Sequence, residues 1–514
     1  MSLDQDVQAQ THERSDTVIT THGPICGYKE PGLQVFKGVR YGAPPVGPLR
    51  FAPPAAPTPW SAVADATQLG APAVQVEGKP GEITGGRSAG DPPAPGQPGS
   101  SEDCLFLNVW TPGIDQGRRP VMVWLHGGGF GSGSGGAAMY DGASLARRGD
   151  AVLVTVNHRL NVFGYLHLAE LGGHPSSGMA GMLDIVQALQ WVGTNIAKFG
   201  GDPGNVTIFG ESGGGWKVST LLAMPMAKGL FHKAIIQSGP GLKMNPVASS
   251  TRDAKALLDA LGIKPGDLTA LQAASAQDIQ SAANGLAGAQ PGFRFAPCQD
   301  GITLDRDPFD PGAPPTGRDV PVLVGSNKDE STLFMFGRPN WLATTQEELE
   351  ARARAQVKEK APAVIAALRA QFPGYSPAHL LAALETAMGL WGGSVRLAER
   401  NAAAGGAATY MYQLVWETPA ARGALKCPHA LEIPLVFDNV EKARSFVGRG
   451  DEPQSMAEQM SEAWLAFART GNPNTPALPD WPAYDPQTRS TMIFDLESRV
   501  ENDPWSEIRR LLQG

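Results

Sequence analysis

Apolar residues along this chain fall into two rhythms. Short, nearly continuous runs occupy Thr17–Ile19, Leu33–Tyr41, Cys104–Trp110, Pro120–Leu125, Ala151–Asn157, Val206–Phe209, Lys233–Gln237, Val320–Gly325, Thr409–Trp416 and Thr491–Phe494. Each has the length of a strand, and unbroken apolar character marks strands covered on both faces. Between them, apolar positions recur at helical spacing over Met182–Phe199, Trp216–Met224, Pro362–Phe372, Pro377–Leu390 and Ala457–Thr470. Pro225 stops the second of these, and Pro362 and Pro377 suit first helical positions. The alternation predicts an α/β fold, with a large, mostly parallel central sheet and helices on both faces.

Two stretches break the pattern. Residues 1–16 are polar and read as a loose lead, and the run from Gly78 to Ser101 is rich in Gly, Pro and Ser. The second reads as a long surface insertion. No internal repeat or composition shift marks a boundary, so residues 17–514 are expected to form one domain.

Bulk properties narrow the function classes. The 514 residues carry 62 Gly and 44 Pro, which points to many turns and long loops rather than disorder. A net charge of −8 argues against a nucleic-acid partner. No apolar run approaches the ~18 residues of a membrane helix, and the first residues show no basic segment followed by an apolar one. Cys26, Cys104, Cys298 and Cys427 are widely spaced and form no CxxC pair, so no metal site is expected. These features together predict a cytoplasmic protein with reduced thiols.

The chemistry is concentrated at Gly210-Glu211-Ser212-Gly213-Gly214, directly after the apolar run ending at Phe209. A Gly-x-Ser-x-Gly between a strand and a helix is a nucleophile elbow, whose tight turn lifts the serine hydroxyl above the sheet. Ser212 is therefore the candidate nucleophile of an acyl hydrolase. A second match, Gly86-Arg87-Ser88-Ala89-Gly90, has neither strand before it nor helix after it and reads as loop.

A serine hydroxyl needs a base, and the base needs an acid to orient it. In such folds the chain order is Ser, acid, His. Of the histidines far enough beyond Ser212, His379 opens an apolar helix and reads as structural. His429 lies in a loop after the strand ending at Trp416, where a catalytic base belongs. The acid follows the strand Val320–Gly325, and spacing alone leaves Asp329 and Glu330 equally placed. His126-Gly127-Gly128-Gly129-Phe130 follows Pro120–Leu125 as an HGGG-type loop, whose backbone N–H groups suit an oxyanion. The N–H of Gly213 is the further donor.

These segments, with several others, resemble the type-B carboxylesterase family, the cholinesterase-like branch of the α/β hydrolases. The resemblance is carried by FKGVRYGAPPVGPLRF at 36–51, SEDCLFLNVWTP at 101–112, HGGGF at 126–130 and ALQWVGTNIAKFGGDPGNVTIFGESGGG at 188–215. GSNKDEST at 325–332, PHALEIPLVF at 428–437 and FARTGNPN at 467–474 extend it nearly to the end. It implies the α/β-hydrolase fold with long loop insertions. It also implies Glu330 as the acid, Gly128, Gly129 and Gly213 as oxyanion donors, and Glu211 as a carboxylate supporting the triad. Phe130, Leu333 and Phe334 are implied as residues supporting the site or lining its acyl pocket.

The sequence departs from that family in three places. The segment Gly70–Gln75 lacks the cysteine that would pair with Cys104. Ala94–Pro98 stands where cholinesterases place a choline-binding tryptophan, which argues against choline esters. Trp216 and Lys217 follow the elbow where smaller residues are common.

The expected function is thus hydrolysis of small to medium carboxylic esters through an acyl-serine intermediate. Neither metal nor organic cofactor is called for, and the partner is a small-molecule ester rather than nucleic acid or membrane. The protein is expected to be a monomer or small homo-oligomer. An amidase or carbamate hydrolase would use the same triad, whereas a non-catalytic binding module of this fold would be expected to have lost a triad member. No amphipathic lid marks a lipase.

Overall fold

The computed structural model describes residues 12–75, 98–287 and 294–513. The match at Gly86–Gly90 and most of the Gly/Pro-rich insertion lie outside these residues, as does the lead up to residue 11. Within the described part of that lead, the backbone of Glu13 and Ser15 hydrogen-bonds to Lys29 and Gly27.

One sheet organises the chain. Its strands are β1 (Tyr28–Glu30), β2 (Leu33–Arg40), β3 (Phe106–Thr111), β4 (Arg119–Leu125), β5 (Val152–Val156) and β6 (Gly201–Glu211). They continue with β7 (Lys233–Gln237), β8 (Val322–Asn327), β9 (Thr409–Leu414), β10 (Ser490–Phe494) and β11 (Arg499–Asn502). The spatial order is β11-β10-β9-β8-β7-β6-β4-β5-β3-β2-β1. From β5 across to β10 every pairing is parallel, and both margins are antiparallel. Val18–Ile19, Pro24–Cys26 and Ala64–Asp65 form a separate small sheet.

The central strands are apolar throughout because both faces are covered. On β4, Val121, Val123 and Leu125 join one core cluster, while Met122 and Trp124 join the other. Such alternation puts successive side chains on opposite faces of the pleat. On the second face, the Trp124 ring meets Phe209 at 4.9 Å and Phe437 at 5.0 Å, both edge-on. The first face is covered in part by the helix Ala180–Asn195, whose Asp184 pairs with Arg159 at 2.6 Å, both buried.

Register decides where the chemistry goes. Leu125 pairs with Gly210, Gln237 with Glu211 and Gly325 with Gln237. The carboxyl ends of β4, β6, β7 and β8 therefore finish side by side. Loops at the carboxyl ends of parallel strands are where open α/β sheets build their sites.

Candidate active site

Ser212 joins β6 to the helix Gly213–Ala223 with φ of 54° and ψ of −120°, a strained conformation for a residue bearing a side chain. The glycines around it are required sterically. A Cβ on Gly214 would stand 1.9 Å from the carbonyl oxygen of Leu125, and one on Gly210 2.6 Å from the backbone of Gly214. The Ser212 N–H donates to the Gln237 carbonyl at 2.8 Å, fixing the elbow to β7.

His429 lies in the loop beyond β9, its ring buried between two carboxylates. Glu330 Oε2 sits 2.5 Å from Nδ1, and Glu211 Oε1 lies 3.0 Å from Nε2. Burial opposes a charge on this imidazole, but the two carboxylates prevail and raise its pKa well above 6.5. Glu330 is itself fixed: its Oε1 accepts the Ser238 hydroxyl at 2.6 Å and the Asn327 N–H at 2.7 Å.

Asp329, the other carboxylate open to the sequence reading, turns elsewhere. It accepts the Tyr375 hydroxyl at 2.8 Å and the Cys427 N–H at 3.2 Å, and burial pushes its pKa up to about 6. His379 has both ring nitrogens engaged, one with the Ser376 hydroxyl at 2.8 Å and one with the Ala424 carbonyl at 2.9 Å.

The loop after β4 folds over the elbow. Gly128 and Gly129 have φ of 84° and 61°, in the left-handed region that favours glycine. A Cβ on Gly213 would approach the oxygen and nitrogen of Gly129 to 2.2 and 2.5 Å. Backbone thus packs on backbone where the glycine loop meets the elbow. Phe130 is fully buried, edge-on to Tyr165, and backs this loop from the core. Phe334 is 53% exposed with its ring 4.8 Å from that of His429, and Leu333 is half-buried against the core.

Two polar residues absent from the sequence reading belong to this cluster. Ser238 follows the wholly buried β7 and bonds Glu330. Glu432 accepts from the Asn327 side-chain amide at 2.6 Å; burial, with Glu211 and Glu330 nearby, raises its pKa to about 8. A buried carboxyl one turn beyond His429, inside the apolar run of 428–437, was the available signal for it.

The described residues contain no group of three or more His, Cys, Asp or Glu placed to hold a metal ion, and no helix long and apolar enough to cross a membrane. All four cysteines are free and buried, Cys104 among them.

Comparison with known proteins decides the family. The sequence profile of the carboxylesterase family matches residues 14–508. The chain belongs to the carboxylesterase family. Its relatives include para-nitrobenzyl esterase of Bacillus subtilis (strain 168), 38% identical over 503 residues that cover 96% of this chain and 98% of the relative. Phenmedipham hydrolase of Pseudarthrobacter oxydans is 34% identical over 477 residues, covering 90% and 92%. Among solved structures, a carboxylesterase of Geobacillus stearothermophilus superposes with a TM-score of 0.84 at 37% identity, covering 97% of this chain and all of that one. Like other carboxylesterases, this chain has the α/β-hydrolase fold and is an ester-hydrolysing serine hydrolase.

Proposed function

We propose that this carboxylesterase works through Ser212, His429 and Glu330, with the N–H groups of Gly128, Gly129 and Gly213 as its oxyanion hole. The observation that carries the reading is the Glu330–His429 pair at 2.5 Å, with Glu211, the residue before the strained Ser212, 3.0 Å from the other ring nitrogen. Ser212 attacks the ester carbonyl while His429 Nε2 accepts its proton. Glu330 holds the opposite ring nitrogen and stabilises the imidazolium, and Glu211 adds its charge at Nε2. The oxyanion of the tetrahedral intermediate takes up the three N–H donors, each worth on the order of 10²–10³ in rate. Collapse expels the alcohol, protonated by His429, and water releases the acyl group by the same steps in reverse.

The substrates proposed are small to medium carboxylic esters, with Leu333 and Phe334 lining the acyl pocket. The exposed Phe334 ring beside His429 supports this, since it offers an apolar surface next to the reacting atoms. We propose a cytoplasmic location, supported by four reduced, buried thiols. We also propose a monomer or small homo-oligomer, in keeping with exposed large apolar residues that are few and dispersed along the described sequence.

Turnover of p-nitrophenyl esters from acetate to decanoate, against matched amides and carbamates, tests the substrate reading. Rates should be highest for short and medium acyl esters and fall toward decanoate. Amide or carbamate turnover equal to that of the matched ester would overturn it.

A further inference from the structure

Lys217 is fully buried on the helix that starts at the elbow, one turn after Gly213. Positions four apart share a helix face, so this side chain and the Gly213 N–H meet the same neighbour, the glycine loop after β4. The Lys217 ammonium donates to the His126 carbonyl at 2.8 Å and to the Gly129 carbonyl at 3.0 Å. Its third side lies over the Phe130 ring, 5.6 Å from the centroid.

The two carbonyls stand at either end of the segment that contains the Gly128 and Gly129 N–H groups. Of the two carbonyls between them, that of Gly127 faces His126 Nδ1 at 2.9 Å and that of Gly128 accepts the Ser132 N–H at 3.1 Å, so each end and the middle of the loop has its own tether. Of these tethers, Lys217 supplies both ends with one side chain. A run of three glycines loses more freedom on ordering than any other sequence of its length. Donors that must be ordered during the reaction contribute less than donors already in place.

Burying an ammonium is costly unless it is fully bonded. Burial pushes the Lys217 pKa down to about 7, against the pull of Glu211 toward the charged form. The other titratable groups facing it are His126 and His158, stacked at 4.9 Å, which burial and the lysine itself keep neutral. Lys217 is thus placed where a smaller residue without a donor would leave two carbonyls unpaired.

We propose that Lys217 is a positioning residue of the oxyanion hole: it ties both ends of the Gly128–Gly129 segment to the elbow helix, holding the donors in place before substrate arrives. The proposal rests on reading Gly128, Gly129 and Gly213 as the oxyanion donors.

The test uses the full chain with Lys217→Met and Lys217→Gln, each checked for folding by thermal melt, with Ser212→Ala alongside. A trifluoromethyl ketone, which forms a tetrahedral adduct on a serine, reads affinity for the transition-state shape. In Lys217→Met, kcat on p-nitrophenyl butyrate should fall on the order of 10²-fold while KM changes less than about threefold. Inhibition by the ketone should weaken by a similar factor. Lys217→Gln keeps an amide donor without the charge and should lose less. A merely structural lysine would lower the melting temperature and leave kcat and ketone affinity of the folded protein unchanged, and that result would overturn the proposal. If Lys217→Met does not fold, wild-type kcat in Lys217→Gln overturns it equally. An active Ser212→Ala would instead remove the site reading beneath it.

Discussion

Glu211 Oε1 lies 3.0 Å from His429 Nε2, so the residue before Ser212 places its carboxylate at the nitrogen proposed to take the Ser212 proton. With Glu330 on the other ring nitrogen, the imidazolium is favoured in the resting enzyme, and the base becomes available only as pH rises through a raised pKa. Activity should therefore increase into the alkaline range. Removing one of the two anions lowers the histidine pKa, so neutral base appears at lower pH. Glu211→Gln should move the acid limb of kcat/KM down by about one unit or more. A limb in the same position would show that Glu211 does not govern this titration.

Adjacent carboxylates should give opposite phenotypes. Glu330→Gln removes the charge that stabilises the imidazolium and should cost on the order of 10⁴ in kcat. Asp329→Asn should leave kcat within a few-fold, because that side chain bonds Tyr375 and the Cys427 N–H instead. An amide there turns a donor toward one of two donors, at a cost of about 1–3 kcal/mol in stability. Steady-state kinetics and denaturant unfolding of both variants check the pair.

Gly213→Ala probes the close approach of elbow and glycine loop. Its Cβ would lie 2.2–2.5 Å from backbone atoms of Gly129, which cannot step aside as a flexible side chain could. The loop must shift, and kcat should drop about 10²–10³-fold with a smaller change in KM. Wild-type kcat would mean that the loop and the elbow need not touch.

How much of this was legible in the sequence depended on whether the signal was local. The elbow, the glycine loop and their strands announce themselves within a few consecutive residues, and β7 runs over Lys233–Gln237 as its apolar run predicts. The helices Val247–Leu261 and Gln346–Val357 escaped because their buried faces are narrow; the second buries only Leu349 and Ala353. The Thr345/Glu348 capping box was the signal available for it. Short strands such as Pro24–Cys26 and Ala64–Asp65 exist through pairing with distant segments, which no local pattern shows. The different surroundings of Asp329 and Glu330 were not legible in local spacing, and only the family resemblance pointed to Glu330. They are set by Ser238 and Tyr375, brought in from other parts of the chain.

The central claim is that Ser212 is the nucleophile, and active-site labelling with a fluorophosphonate followed by peptide mapping tests it most directly. The account predicts one label per chain, on the peptide containing Ser212, and a loss on the order of 10⁶ in kcat for Ser212→Ala. A label on another residue, or ester hydrolysis by Ser212→Ala within tenfold of wild type, would contradict it.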